Sequence, residues 1–239
     1  MTRVKFGGLV HDVKLVCFDK DGTLIDLEVW KEVLEARRKR LHELFPGRER
    51  EIDQALFIDE NGKYDFIKFM NTPRRDNIER IVMLLNMAGE RVDYEMIDNV
   101  LNEVDFSFGD KLIRPIKGAV EVVNTLRKAG VKVYVVTADG IKRANYVLEK
   151  AGIEVDFVVG SDNLPWKKPA YELLVWIAEK EGIVFEEIAV VGDTPNDIKF
   201  AHGKALAVGV RTGFGSIVDL ESYNPDVIMD GVWQIEVLK

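Results

Sequence analysis

The chain is nearly free of cysteine: Cys17 is the only one in 239 residues, so no intramolecular disulfide can form. That usage fits a reducing compartment, and a cytoplasmic location is expected. Cys17 lies in an apolar run and reads as a small core residue rather than a nucleophile. Histidine is sparse too, with three residues. His11, His42 and His202 have no ligand-like spacing, which excludes a histidine-based zinc site. No stretch of 18 apolar residues exists, so no membrane span is expected. Met1 to Val10 has no long apolar segment, so no secretory leader is expected either. Positive charge is in deficit, with a net charge of −8. That balance argues against nucleic acid or an anionic membrane as the main partner. A small anion stays open, because a local pocket can oppose the global sign. What the chain does have is a 47% apolar composition over 239 residues, enough for one large α/β domain or two small ones.

The most informative stretch is Val16-Cys17-Phe18-Asp19-Lys20-Asp21-Gly22-Thr23-Leu24. Leu15 to Phe18 reads as a short buried strand. It delivers two aspartates and a threonine to its C-terminal tip, where Gly22 lets the chain turn. If the segment stays extended, Asp19 and Asp21 share a face. Paired carboxylates repel, and a hard divalent cation such as Mg²⁺ relieves that repulsion. The alternative is ordinary turn chemistry at a strand end, which accounts for Asp21-Gly22 but not for the whole string. At about 5–7% usage per residue type, the four identities Asp, Asp, Gly and Thr recur at this spacing roughly once in 10⁵ positions.

Residues 1–13 read as an extended piece or hairpin broken at Gly7-Gly8. From about 27 to 107 the pattern is helical, with apolar residues three and four apart over 27–44, 51–57, 64–70, 76–87 and 93–104. Breaks fall at Pro46-Gly47, Asn61-Gly62, Pro73 and Gly89. This predicts an inserted helical domain, 26–107, within a core made of 1–25 and 108–239. The basic run Arg37 to Arg40 wraps round a helix and reads as a solvated face. Arg74-Arg75 is a candidate for an anionic substrate tail. After Gly118 helix and strand alternate: helix 119–129, strand 131–136, helix 140–150, strand 155–159, helix 170–181, strand 187–192, helix 195–202, strand 205–210. A short helix and an edge strand at 227–229 are expected in the tail. Such alternation predicts an α/β fold with a doubly wound, Rossmann-like parallel sheet.

Ligands collect at the C-terminal ends of such strands. The tip after 131–136 carries Thr137-Ala138-Asp139-Gly140, a hydroxyl and backbone N–H groups suited to a phosphate oxygen or, alternatively, to capping the next helix. Past the tip of 155–159 comes Trp166-Lys167-Lys168-Pro169. Pro169 suits the first position of a helix. A lysine just ahead of it faces the positive end of the dipole, unfavourable by about 0.3 kcal/mol or more. A bound phosphate would compensate; two solvated loop lysines are the alternative. The tip after 187–192 carries Asp193-Thr194-Pro195-Asn196-Asp197. Thr194 reads as N-cap, Pro195 as the first helical residue and Asp197 as the acid at the third position. Asp193 lies ahead of the cap and is placed to reach a metal.

In order, Asp19-Lys20-Asp21-Gly22-Thr23, Thr137, Lys168-Pro169 and Gly192-Asp193-Thr194-Pro195-Asn196-Asp197 resemble the four motifs of the haloacid dehalogenase superfamily. Lys117-Gly118-Ala119 and Gly209-Val210-Arg211-Thr212-Gly213 are similar to its phosphoglycolate phosphatase-like branch. Ala170-Tyr171 stand where relatives often carry a second proline. The resemblance implies that Asp19 attacks phosphorus and that Asp21 serves as acid and then base. It implies that Thr137, Ala138 and Lys168 bind the phosphoryl oxygens. Mg²⁺ would be held by the Asp19 carboxylate, the Asp21 backbone carbonyl and Asp193, with Asn196 and Asp197 orienting groups behind them. The helical insert corresponds to a mobile cap that closes over small substrates. A small phosphorylated metabolite is the expected partner, of a monomer or homodimer. A phosphomutase and a non-catalytic metal- or phosphate-binding module are the alternatives.

Overall fold

A computed structural model describes residues 1–108, 113–216 and 219–238. The chain forms two compact units, Met1–Leu27 with Ile113–Lys239, and Glu28–Leu112.

The first unit opens with an antiparallel hairpin of β1 (Thr2–Phe6) and β2 (Leu9–Val13), turned at Gly7-Gly8. Next comes β3 (Leu15–Phe18), buried on both faces. Its four apolar side chains each contribute about 1.5–3 kcal/mol by leaving water. Helices α1 (Glu28–Leu44), α2 (Glu49–Ala55), α3 (Phe66–Asn71), α4 (Arg74–Met87) and α5 (Tyr94–Ser107) make the second unit. The first unit then resumes with α6 (Ala119–Lys128), β4 (Lys132–Val136), α7 (Ile141–Lys150), β5 (Phe157–Val159), α8 (Tyr171–Glu181), β6 (Ile188–Gly192), α9 (Pro195–Phe200), β7 (Leu206–Val210), β8 (Val227–Met229) and β9 (Ile235–Val237).

Six strands pair in parallel in the order β5-β4-β3-β6-β7-β8, which is the Rossmann order with β3 as first strand. The direction of winding reverses at β3, so its tip opens into the crevice where such sheets bind ligands. Alternate strand residues feed two cores. Val16, Phe18, Val133, Val135 and Val191 pack on the side of α6 and α7. Leu15, Cys17, Tyr134, Val136 and Val190 pack on the side of α8 and α9. The α/β, doubly wound fold expected from the alternation is therefore present, and Cys17 is a buried core residue as read.

Some expectations change. β9 pairs with β1 to complete a separate three-stranded sheet, β2-β1-β9, which its three residues gave no periodicity to reveal. In place of a short tail helix there are single 3₁₀ turns at Glu221–Tyr223 and Val232–Gln234. Helix α8 starts at Tyr171 with Ala170 as its cap, so Pro169 lies ahead of the helix rather than at its first position. Among the described residues no helix is long and apolar enough to cross a membrane.

Within the helical unit α1 packs on α5, and α4 on both α2 and α5, burying Leu34, Leu41, Ile52, Ile78, Ile81, Leu85, Ile97 and Leu101. The basic run is not a solvated face throughout. Arg37 is buried and grips Asp105 through two bonds, at 2.7 and 2.5 Å. Arg38 makes the same two-pronged contact with Asp53. Arg74 is held by Asp98 at 2.8 Å and by Asp105 at 3.0 Å, which binds it into the helical unit. Asp105 thus answers two arginines in a buried site. Asp105→Ala removes the two-pronged partner of buried Arg37 and one of the two carboxylates on Arg74, and is expected to lower stability by about 3–5 kcal/mol, measured by denaturant unfolding.

Candidate active site

The parallel register sets the site. Phe18 is level with Val135 of β4 and Val191 of β6, so Asp19, Thr137 and Asp193 leave three adjacent strands at nearly the same height. The Asp19 amide still donates to the Val191 carbonyl at 2.8 Å. Beyond it the chain curls. The amides of Leu24 and Ile25 both donate to the Lys20 carbonyl at 2.9 Å, and that of Gly22 to the Ile25 carbonyl at 2.7 Å. The extended geometry that would place Asp19 and Asp21 on one face ends with β3. The Asp19 carboxylate instead meets Lys168 Nζ at 2.6 Å, and the Asp21 carboxylate meets Lys20 Nζ at 2.6 Å.

At the tip of β6, Asp193 is fully buried. Its Oδ2 accepts from the Phe214 amide at 2.7 Å, and the Thr23 hydroxyl lies 3.5 Å from its Oδ1. Two glycines make room for it. A Cβ on Gly22 would fall 2.2 Å from Asp193 Oδ2, and one on Gly213 2.3 Å from the same atom. Both glycines have positive φ, 86° and 55°, so they serve the turn and the close approach together. Thr194 caps α9 as expected. Asp197 Oδ2 accepts from the Thr194 amide at 3.0 Å and from its hydroxyl at 2.7 Å, while Asp197 Oδ1 accepts from Lys168 Nζ at 2.6 Å.

Lys168 therefore bridges Asp19 and Asp197. The helix start lies farther along than the dipole argument assumed, and two carboxylates of the chain itself compensate this lysine. Burial alone would lower the Lys168 pKa; the two acids outweigh it and raise the ammonium above the ordinary lysine range. His202 Nε2 donates to the Pro169 carbonyl at 2.6 Å and anchors the lysine-proline turn from outside.

Oxygens of Asp19, Asp193 and Asp197 all lie within 4.8 Å of one another. Burial pushes Asp19 up to about 7; Lys168 opposes the shift, and Asp197 and Asp21 reinforce it. Burial, with Asp19 and Asp197 nearby, raises Asp193 well above the usual carboxylate range. A hard divalent cation fits this donor set: the oxygens are close together, and among the described residues the hydrogen-bond donors to Asp193 are the neutral Thr23 hydroxyl and Phe214 amide. Both oxygens of Asp197 are engaged by Thr194 and Lys168, so Asp19 and Asp193 are the better-placed metal carboxylates. The Asp21 carboxylate is outside the three-acid group.

Thr137 and Ala138 follow β4 directly, and Thr137 Oγ1 accepts from the Asp139 amide at 3.1 Å, closing the turn expected to cradle an anion. Asn196 sits in the first turn of α9. Sequence reasoning weighed Asp139 only as a helix cap and gave Lys20 no role, since the contact between the two spans 119 positions, and it saw Gly213 only through the family resemblance. It had no signal for the Phe214 amide, since a backbone donor can belong to any residue type.

A family model, haloacid dehalogenase-like hydrolase, matches residues 13–203. A phosphoglycolate phosphatase of Photobacterium profundum is 29% identical over 232 residues, 95% of this chain and 96% of that protein. The pyrophosphatase PpaX of Halalkalibacterium halodurans is 27% identical over 223 residues, 91% of this chain and 93% of that one. Among solved structures, a predicted phosphoglycolate phosphatase from Haemophilus somnus superposes with a TM-score of 0.67 at 21% identity, covering 92% of this chain and 95% of that one. With the sheet order, the four strand-tip motifs and the match over residues 13–203 in agreement, the chain belongs to the haloacid dehalogenase-like hydrolase family.

Proposed function

We propose that this chain is a Mg²⁺-dependent phosphatase that hydrolyses small phosphomonoesters through an aspartyl-phosphate, with phosphoglycolate as the substrate. The phosphatase class is supported by its full-length relatives. The observation that carries the mechanism is Lys168, which lies 2.6 Å from both Asp19 and Asp197 at the switch-point crevice, with Asp193 beside them.

Asp19 Oδ attacks phosphorus, the ester oxygen leaves, and water then cleaves the acyl phosphate to return Asp19 and free phosphate. Lys168 keeps the nucleophile in place and offers its charge to the phosphoryl oxygens, assisted by the Thr137 hydroxyl and the backbone at Ala138. Asp197 fixes Lys168, and is itself fixed by its capping bonds to Thr194; Asn196 shares that turn. Asp21 gives a proton to the leaving oxygen and takes one from the attacking water. Asp19, the Asp21 carbonyl and Asp193 would hold Mg²⁺, which when bound supplies positive charge between nucleophile and phosphate. Pyrophosphate is the competing substrate, favoured by the relative named as a pyrophosphatase.

A phosphate-release assay over phosphoglycolate, pyrophosphate, sugar phosphates and nucleoside monophosphates, with and without Mg²⁺, tests the reading. Phosphoglycolate should be fastest and chelation should abolish turnover. Mg²⁺-independent release, or conversion of a hexose 1-phosphate to its isomer without free phosphate, would contradict it. Asp19→Asn should lose at least ~10³-fold in kcat with its fold intact; wild-type turnover in that variant removes Asp19 as nucleophile.

The metal proposal also carries a stability signature. Asp19 titrates near 7 in the folded chain against an ordinary 3.8, so the metal-free fold binds its proton more tightly than the unfolded chain does. Its contribution to stability therefore falls as pH rises from about 4 to about 7. A bound cation removes that loss. At pH 8, Mg²⁺ at ~100 Kd should add about 2.7 kcal/mol, and the same concentration adds less at pH 5, where protons compete for the carboxylates. The rise in Tm, read by scanning fluorimetry, should be larger at pH 8 than at pH 5; an equal rise at both would count against the acid cluster as its source.

A further inference from the structure

Lys20 is a buried charge for which the proposed chemistry has so far given no use. It sits at 0% exposure between the two motif aspartates, where the flanking Cys17, Phe18 and Leu24 are apolar and buried. Its Nζ lies 2.6 Å from Asp21 Oδ2 and 3.4 Å from Asp139 Oδ2. Arg143 Nε lies 3.4 Å from that same Asp139 oxygen, and both Asp139 and Arg143 are more than nine-tenths buried. The four side chains form an alternating line, Asp21, Lys20, Asp139, Arg143, that sums to zero charge and runs from the tip of β3 across the tip of β4 into α7.

Asp139 is well anchored. Its amide donates to Thr137 Oγ1 at 3.1 Å, its Oδ1 accepts from the Gly140 amide at 2.9 Å, and its carbonyl accepts from the Ser161 amide at 2.8 Å. The line therefore ties the Asp21 carboxylate to the turn that carries Thr137. An ammonium in this position loses its hydration, and the Asp21 and Asp139 carboxylates on either side offset that loss. Removing it would leave two buried carboxylates facing each other.

We propose that Lys20 is a positioning residue for the reaction: it fixes the Asp21 carboxylate, through Asp139, in register with the phosphate-binding turn. The effect is on the proton transferred to the leaving oxygen, because a group a fraction of an ångström out of place transfers protons poorly. This rests on the phosphatase reading with Asp21 as acid.

The test varies the demand for that proton. In Mg²⁺, kcat and KM are measured on 4-nitrophenyl phosphate, whose leaving group departs as a stable anion, and on an alkyl ester that must be protonated. The faster of phosphoglycolate and glycerol 3-phosphate serves as the alkyl ester. Lys20→Met/Asp139→Asn keeps the line electrically balanced without the tether. It should lose ~10²-fold in kcat on the alkyl ester and less than ~10-fold on the aryl ester, with KM little changed. Asp139→Asn alone keeps the Lys20–Asp21 contact; it should show the same selectivity at smaller amplitude, and it decides the matter if the double variant does not fold. Equal losses on both esters, or wild-type rates, assign Lys20 to folding alone and overturn the proposal. Asp21→Asn is the control. If it discriminates between the esters and the Lys20 variants do not, only the inference about Lys20 fails. If Asp21→Asn does not discriminate, the acid assignment falls and the inference with it.

Discussion

Three carboxylates with oxygens inside 4.8 Å of one another, one of them fully buried, are the constraint around which the core unit is arranged. Like charges at that distance cannot all ionise in a low-dielectric site without cations. Lys168 supplies one cation, fixed by bonds of 2.6 Å to both Asp19 and Asp197. It does not reach Asp193 among its hydrogen bonds, and that carboxylate is where burial weighs most. The site thus has one fixed positive charge and a surplus of negative charge, a condition that favours a divalent ion and a phosphoryl group arriving together.

The surrounding backbone follows from this constraint. Gly22 and Gly213 leave the space that Asp193 occupies, and Gly192 leaves space for Asp197, where an added Cβ would fall 2.1 Å from its Cγ. The capping bonds of α9 serve two ends at once: they satisfy the helix start and fix the acid that holds Lys168. Thr194, Asp197, Lys168 and Asp19 form one hydrogen-bonded line, so a substitution at Thr194 reaches Lys168 through Asp197 as well as the helix start.

A second charged line runs from Asp21 through Lys20 and Asp139 to Arg143. The two lines begin at positions two residues apart on the tip of β3 and diverge, one crossing to β6 and the other to β4. This divergence gives two chemically identical carboxylates different surroundings: Asp19 faces Lys168 and the other acids, and Asp21 faces an ammonium beside the turn that carries Thr137. Different surroundings are what allow two aspartates of one motif to take different parts in a reaction.

Local chemistry alone determined much of this protein. The buried strand Leu15–Phe18, the alternation that predicts a parallel sheet, the helical texture of the insert and the cap at Thr194 are all written in short-range periodicity and turn residues, because strand and helix periods and capping bonds span only a few positions. Asp19, Lys168 and Asp193 were legible as separate strand tips, and the family resemblance joined them. Only the tertiary structure decided their partners. That Lys168 answers Asp19 and Asp197, that Asp21 turns to Lys20, that Arg37 is buried on Asp105, and that β9 returns to β1 are pairings between residues from 29 to 233 positions apart, save the adjacent Lys20–Asp21 pair, which the curl after β3 creates. Sequence patterns carry periods and local turns; which distant charges meet is set by strand register and burial, and these exist only once the sheet has formed.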